Sequence, residues 1–292
     1  LNERTIIVTD SSCDLSADYI KESGVCVIPF TYNLDGNDYI DDFGQMVTYG
    51  EFYNKIRKGS MPTTSQITTF TFEQTFRKLA KEGNSIIYIG FSSALSSTFN
   101  NAIMAKRNLL EEDSSIDLTV IDSKSASAGL GLIVYYAAEM LKEGKGKDEI
   151  IDWIENNKLK VYHQFTVDSL EHLRRGGRLS AASAAIGTLL DIKPFLIVDD
   201  EGKLEVAKKI RGRKKSIKTL LELLKANIVN PEEQTILINH GDCLEDAEYL
   251  KDMLIKEVNV KNIMINYVGP IIGTHTGPGM LCMVFLGRDR SI

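Results

Sequence analysis

The sequence predicts an α/β fold in two domains, the first a mostly parallel sheet flanked by helices. Two observations carry this. Short apolar runs rich in β-branched residues alternate with segments of helical periodicity, and parallel strands require such crossovers between them. Three of the runs also end in serine-rich turns. Ile6-Ile7-Val8-Thr9 enters Asp10-Ser11-Ser12, Ile86-Ile87-Tyr88-Ile89-Gly90-Phe91 enters Ser92-Ser93-Ala94-Leu95-Ser96-Ser97-Thr98, and Leu118-Thr119-Val120-Ile121 enters Asp122-Ser123-Lys124-Ser125. Ligands of open α/β sheets sit beyond the carboxyl ends of the strands. Three hydroxyl-bearing turns at that edge therefore mark a site that donates hydrogen bonds to an oxygen-rich group.

The elements follow in order. A strand over 5–9 leads to a helix near 15–23. A second strand, 25–32, contains Pro29 and belongs near an edge or bend. Asp35-Gly36 is a turn, 52–57 is helical, and Pro62-Thr63-Thr64-Ser65-Gln66 is a loop. Helix 70–81 stops at Gly83, a C-cap residue. Strand 85–91, a helix after Ser96, strand 117–121 and an apolar helix over 126–142 complete the first domain. Gly144-Lys145-Gly146-Lys147 and an amphipathic helix 148–157 form a connector, so the domains are expected to span 1–158 and 159–292. The second opens with strand 161–167 and helix 169–175, which Gly176-Gly177 breaks. A small-residue helix spans 179–190. Strands 193–198 and 203–209 flank Asp200-Glu201-Gly202 as a hairpin. Helix 215–227, strand 234–239, helix 244–256 and strands 262–267 and 281–286 make this second unit α/β as well.

Composition narrows the function. At 292 residues, 43% hydrophobic and 25% charged, the chain can bury sizeable cores. A net charge of −6 argues against nucleic-acid or membrane-surface binding. The first residues lead directly into a strand without a leader pattern. The longest uncharged stretch, 125–138, is shorter than the ~18 residues of a membrane span, so a buried helix is expected there. Cys13, Cys26, Cys243 and Cys282 show no C-x-x-C spacing and are expected to be free thiols in a reducing cytoplasm. The four histidines form no metal pair, and no cofactor or metal is expected.

The segment 92–98 places serines at the start of a helix. The first N–H groups of that helix lack internal partners and favour an anion, although serine at that place also caps helices in the ordinary way. No G-x-x-x-x-G-K-[ST] cradle is present, so a singly charged carboxylate suits these neutral hydroxyls better than a polyphosphate. No G-x-S-x-G elbow is present either. Asp10 and Asp122 end strands and could pair for acid–base work, but they are more simply read as acceptors for the serine turns. His275 lies in a segment, 269–279, so rich in glycine and proline that a shaped loop is expected; it could hold a carboxylate or merely pack. Two basic clusters, one around Arg174, Arg175 and Arg178 and one from Lys208 through Arg211 to Lys215, form a solvated face or attract an acidic partner or phosphate.

Together and in this order, several of these motifs resemble the DegV family of bacterial fatty-acid-binding proteins. They are Val8-Thr9-Asp10-Ser11-Ser12-Cys13-Asp14-Leu15, Pro62-Thr63-Thr64-Ser65-Gln66, Ser92-Ser93-Ala94-Leu95-Ser96-Ser97-Thr98, Asp122-Ser123-Lys124, Gly176-Gly177-Arg178-Leu179-Ser180, Arg211 and Gly273-Thr274-His275-Thr276-Gly277-Pro278-Gly279. The resemblance implies two α/β domains with a long-chain fatty acid such as palmitate, stearate or oleate between them. Its acyl chain would lie in an apolar tunnel of the second domain. Thr64, Ser65, Ser92, Ser93 and Ser96 would meet the carboxylate, and His275 would close the site. In some members the bound acid is presented to a fatty acid kinase for phospholipid synthesis, which makes Arg178 and Arg211 candidates for docking or phosphate contact. Where the family commonly has Leu-Ser-Gly-Thr, this chain has Ser97, which restricts a position that glycine leaves free.

Burial of about sixteen carbons at roughly 0.8 kcal/mol each supplies on the order of 10 kcal/mol before ordering costs. The carboxylate then needs only enough donors to avoid being buried unpaired. That describes a carrier, which breaks no bond. The alternatives are a phosphotransferase or hydrolase in the same interdomain cleft, using Asp10, Asp122 or His275, and a nucleic-acid module on the basic clusters, ranked last. The small-residue stretch 181–185 would leave room for an acyl chain or allow close helix packing.

Overall fold

Four parallel strands form the sheet on which the serine turns converge. The computed structural model describes residues 4–179, 191–288 and 290; the small-residue helix expected over 179–190 lies almost wholly outside them. Strands β1 (Arg4–Asp10), β2 (Cys26–Ile28), β6 (Asn84–Gly90) and β7 (Leu118–Asp122) lie in the order β2-β1-β6-β7. Each of their pairings is parallel, so Asp10, Gly90 and Asp122 end side by side at the carboxyl edge. Helices α3 (Thr69–Lys81) and α4 (Thr98–Glu112) cover the outer face.

Between Ile28 and Thr69 the structure departs from expectation. The strand predicted over 25–32 is two strands. Its first part joins the parallel sheet as β2, and its second, β3 (Thr31–Leu34), pairs in a separate three-stranded antiparallel sheet with β4 (Asn37–Ile40) and β5 (Thr63–Ser65). Pro29 lacks an N–H and ends the ladder, and the next N–H, of Phe30, donates to Ser11 Oγ at 3.1 Å. The Thr-Thr-Ser segment expected as a loop is β5, a strand too short to show a period. This small sheet sets Thr64 at the mouth of the site described below.

Helix α5 (Ala128–Lys142) follows β7 and is buried on nearly every side along its first half, as its uncharged sequence requires. It is clamped between β1 and β6 on one side and the second sheet on the other. The chain then passes through α6 (Lys147–Asn157) into β8 (Val161–Thr166). The second sheet also takes β9 (Ile192–Val198), β10 (Leu204–Arg211), β11 (Thr235–His240), β12 (Asn262–Tyr267) and β13 (Leu281–Leu286), in the order β10-β9-β8-β13-β11-β12. Its β11–β12 pairing is parallel and the rest are antiparallel. Helices α8 (Arg213–Asn227) and α9 (Leu244–Glu257) cover the far face of this sheet over a separate apolar core.

Buried polar contacts fix the two sheets relative to each other. Asp14 accepts from the N–H of Gly269 at 2.9 Å through its side chain, and its carbonyl accepts from Asn239 Nδ2 at 3.0 Å. Tyr53 donates to the Val268 carbonyl at 2.8 Å. Arg290 spreads its donors over the carbonyls of Lys124, Lys158, Val161 and Asp199 and over Ser125 Oγ. A buried guanidinium needs that many acceptors, and together they tie the end of β7 to the start of β8 and to the β9–β10 hairpin.

Candidate functional site

The segment 269–279 contains a helix, α10 (Pro270–Thr276), where a loop was expected. Its breakers stand where helices accept them. Pro270 occupies the first turn and Gly277, at φ +74°, closes the end. Gly273 is the interior exception, and packing explains it: a Cβ there would come within 2.5 Å of Tyr53 Oη. The helix therefore lies tight against α2 (Tyr49–Arg57) and carries His275 to β5. His275 Nε2 lies 3.1 Å from Thr64 Oγ1.

The turn after α7 (Glu171–Arg175) approaches from the other side. A Cβ on Gly176 would fall 2.2 Å from His275 Nδ1, so only glycine lets the turn come this close. Arg178 follows and is locked by donating from Nη1 to the Gly176 carbonyl (2.6 Å) and from Nε to the Leu95 carbonyl (3.1 Å). Ser96 completes the cluster. Its hydroxyl donates to Thr98 Oγ1 at 3.0 Å and accepts from the N–H of Thr98, the first residue of α4, at 3.2 Å. Ser97 sits at φ −70°, an ordinary conformation, so its side chain strains nothing there.

Thr64, Ser96, Arg178 and His275 line a cavity between the two sheets. Its remaining wall is largely apolar, with Phe30, Phe91, Phe165, Leu204, Ile272 and Met280 among its members. A polar end joined to an apolar body suits an amphipathic ligand. The other expected site residues lie elsewhere. Ser92 donates to the Gly202 carbonyl at 2.8 Å and ties the turn to the β9–β10 hairpin. Ser93 donates to Asp122 through both its hydroxyl and its N–H. Ser65 and Arg211 are exposed and do not line the cavity. Asp10 and Asp122 are not a pair. Asp10 accepts from Ser12, Tyr88 and Phe91 and braces its turn, while Asp122 holds Ser93 and Lys124.

Sequence reasoning missed Phe30, Ser127 and His163, which also line the cavity. Strand alternation carries the signal for His163, since Val161, His163 and Phe165 share one face of β8. The predicted set of neutral hydroxyls is also incomplete, because Arg178 brings a cation to the polar end. Burial, and then Arg178 and Arg175, push His275 down to about 4; burial and Arg290 push His163 down to about 3. Both are neutral near pH 7. Each takes up a proton in the unfolded chain near its usual 6.5 and resists it when folded, so stability is present above 6.5 and lost as pH falls toward the folded value. Asp10, Asp14 and Asp41, raised by burial, act in the opposite sense. The histidine contribution therefore shows as a difference between proteins. Between pH 7 and pH 5, His163→Gln is expected to lose about 2 kcal/mol less stability than the parent. Denaturant unfolding at the two pH values checks this, and parallel curves would contradict it.

Among the described residues no group of His, Cys, Asp and Glu could hold a metal ion, and no helix is long and apolar enough to cross a membrane. All four cysteines are free.

A family model described as "Uncharacterised protein, DegV family" matches residues 4–288. The chain belongs to the DegV family. A DegV domain-containing protein of Clostridium perfringens is 48% identical over 288 residues, covering 99% of each chain. Among solved structures, a fatty-acid-binding DegV family protein from Thermus thermophilus superposes with a TM-score of 0.88 at 31% identity, over 98% of this chain and 100% of that one. A stearic acid-binding protein from Eubacterium ventriosum does so with a TM-score of 0.85 at 26% identity, over 97% and 98%. The DegV architecture of a parallel sheet with helices and a second sheet domain is thus the architecture of this chain.

Proposed function

We propose that this DegV protein binds a long-chain fatty acid without forming a covalent bond. The chain divides into domains near residue 158, with the acid between them. The observation that carries the reading is the cavity itself, apolar along its body and closed at one end by Thr64, Ser96, Arg178 and His275. Two solved structures of the same architecture, described as binding fatty acids, support it. The carboxylate accepts from Thr64 and Arg178, and from Ser96 once that hydroxyl turns away from Thr98 Oγ1, with His275 held in place beside Thr64. Asp10 and Asp122 are occupied in bracing turns, which favours a carrier over a phosphotransferase or hydrolase. A carrier of this kind would hand its acid, in the cytoplasm, to a fatty acid kinase for phospholipid synthesis. The exposed Arg211 and the half-buried Arg178 would meet that partner or the new phosphate. Native mass spectrometry of purified protein is expected to show a co-purified mass in the fatty-acid range. Protein that is ligand-free and also fails to take up added palmitate or oleate would overturn the reading.

A further inference from the structure

Three carboxylates, Asp10, Asp14 and Asp41, are buried within reach of one another. Asp10 has its donors in Ser12, Tyr88 and Phe91. Asp14 and Asp41, only 5% and 3% exposed, meet instead beneath the start of α10. A Cβ on Gly269 would fall 2.9 Å from Asp14 Oδ1 and 3.7 Å from Asp41 Oδ2, so both acids border the residue that caps this helix. Asp14 accepts from the Gly269 N–H at 2.9 Å and pairs with Ser127 Oγ at 2.5 Å. Asp41 takes donors from Ser11 and from the N–H of Phe43. Phe43 stands at φ +61°, a costly conformation for an aromatic residue, so the loop bends under strain around this carboxylate.

No cation among the described residues balances them. The titratable groups that face Asp14 and Asp41 are Asp10 and Cys13 at the end of β1, Asp42 beside Asp41, Tyr32 on β3, Tyr49 and Tyr53 on α2, and Cys282 on β13. Every one is neutral or negative. Neighbouring buried acids without a counter-ion cannot all ionise, so protons are held here. Burial pushes Asp14 well above its ordinary value and Asp41 up to about 7. What rests on the two acids belongs to the cavity. Helix α10 supplies Ile271, Ile272, His275 and Thr276 to its lining, and Ser127, held by Asp14, is a further member.

We propose that Asp14 and Asp41 form a proton-dependent seat for α10. With both acids protonated the helix is held down against the first sheet. When Asp41 ionises, its charge has no counter-ion until the helix lifts and water enters. An unseated Asp41 returns toward its ordinary 3.8, so unseating releases a proton at any pH between 3.8 and about 7. Unseating therefore becomes easier as pH rises through that window and levels off above it. On the fatty-acid reading above, the bound acid exchanges faster in step, because α10 forms one wall of its cavity.

The test is amide hydrogen exchange of the free, full-length protein at about pH 5 and pH 7, each corrected for the intrinsic rate at that pH. In the parent, the opening constant of the amides from Ile271 to Thr276 is expected to rise by about one to two orders of magnitude over this range, the effect of one released proton. In Asp41→Asn, which keeps the shape and cannot ionise, it should stay within about twofold. An equal rise in both proteins would overturn the proposal. Should Asp41→Asn fail to fold, the parent decides alone: a rise confined to α10 supports the seat, and the same rise in α9, on the far face of the second sheet, overturns it. Release of bound palmitate to albumin is the second readout. It should quicken over the same range in the parent and stay level in Asp41→Asn, and equal pH dependence in the two would overturn the link to the cavity. Protein that binds no acid overturns the carrier reading, while the exchange of α10 still decides the seat.

Discussion

Shortening a saturated acid from about sixteen carbons to about ten is expected to weaken its binding by roughly three to four orders of magnitude. Each methylene buried against Phe91, Phe165 and Met280 contributes about 0.8 kcal/mol, or close to fourfold in affinity. The polar end is the same for every member of the series and cancels from the comparison. Titration of delipidated protein with acids of graded length checks this. A slope near fourfold per carbon, levelling where the cavity ends, is expected. Affinities independent of length would mean that the tail is not enclosed.

The second large effect concerns the carboxylate. Thr64→Val with Ser96→Ala removes two donors to a charged group, each worth roughly 1.5–3 kcal/mol. Palmitate affinity is expected to fall about a hundredfold or more. The paired control is Ser92→Ala with Ser93→Ala, which lie outside the cavity lining and donate to Gly202 and Asp122. That variant should bind palmitate within about threefold of the parent, provided the turn keeps its shape. Equal losses in the two double variants would show that the cavity does not tell these serines apart. A hundredfold loss only in the control would move the carboxylate to the Ser92–Ser93 side of the turn.

The contrast between Ser96 and Ser93 shows where the sequence stops being informative. Both stand in one serine-rich turn after β6, and spacing alone makes them equivalent. Asp122, on the neighbouring strand, takes the hydroxyl of Ser93 and leaves Ser96 toward the cavity. That choice depends on strand order, which no local pattern encodes. The three strand-to-turn transitions were legible because each joins a buried β-branched run to residues that favour turns. The break at Pro29 was only half legible: proline marked an interruption but not the separate sheet that begins after it. Helix α10 was misread because glycine and proline break helices in their interior yet begin and end them well. The reason for Gly273 lies in Tyr53, more than two hundred residues away in the chain. His163 was visible on one face of a strand, but its place in the cavity wall could be recognised only once β8 was set against α5.

A crystal structure with a long-chain acid brominated at its terminal carbon tests the central idea most directly. The anomalous signal of bromine is expected inside the cavity, away from its polar end. The carboxylate should lie within hydrogen-bonding distance of Thr64 and Ser96. Bromine at the Thr64–His275 end, or outside the space between the two sheets, would contradict the account.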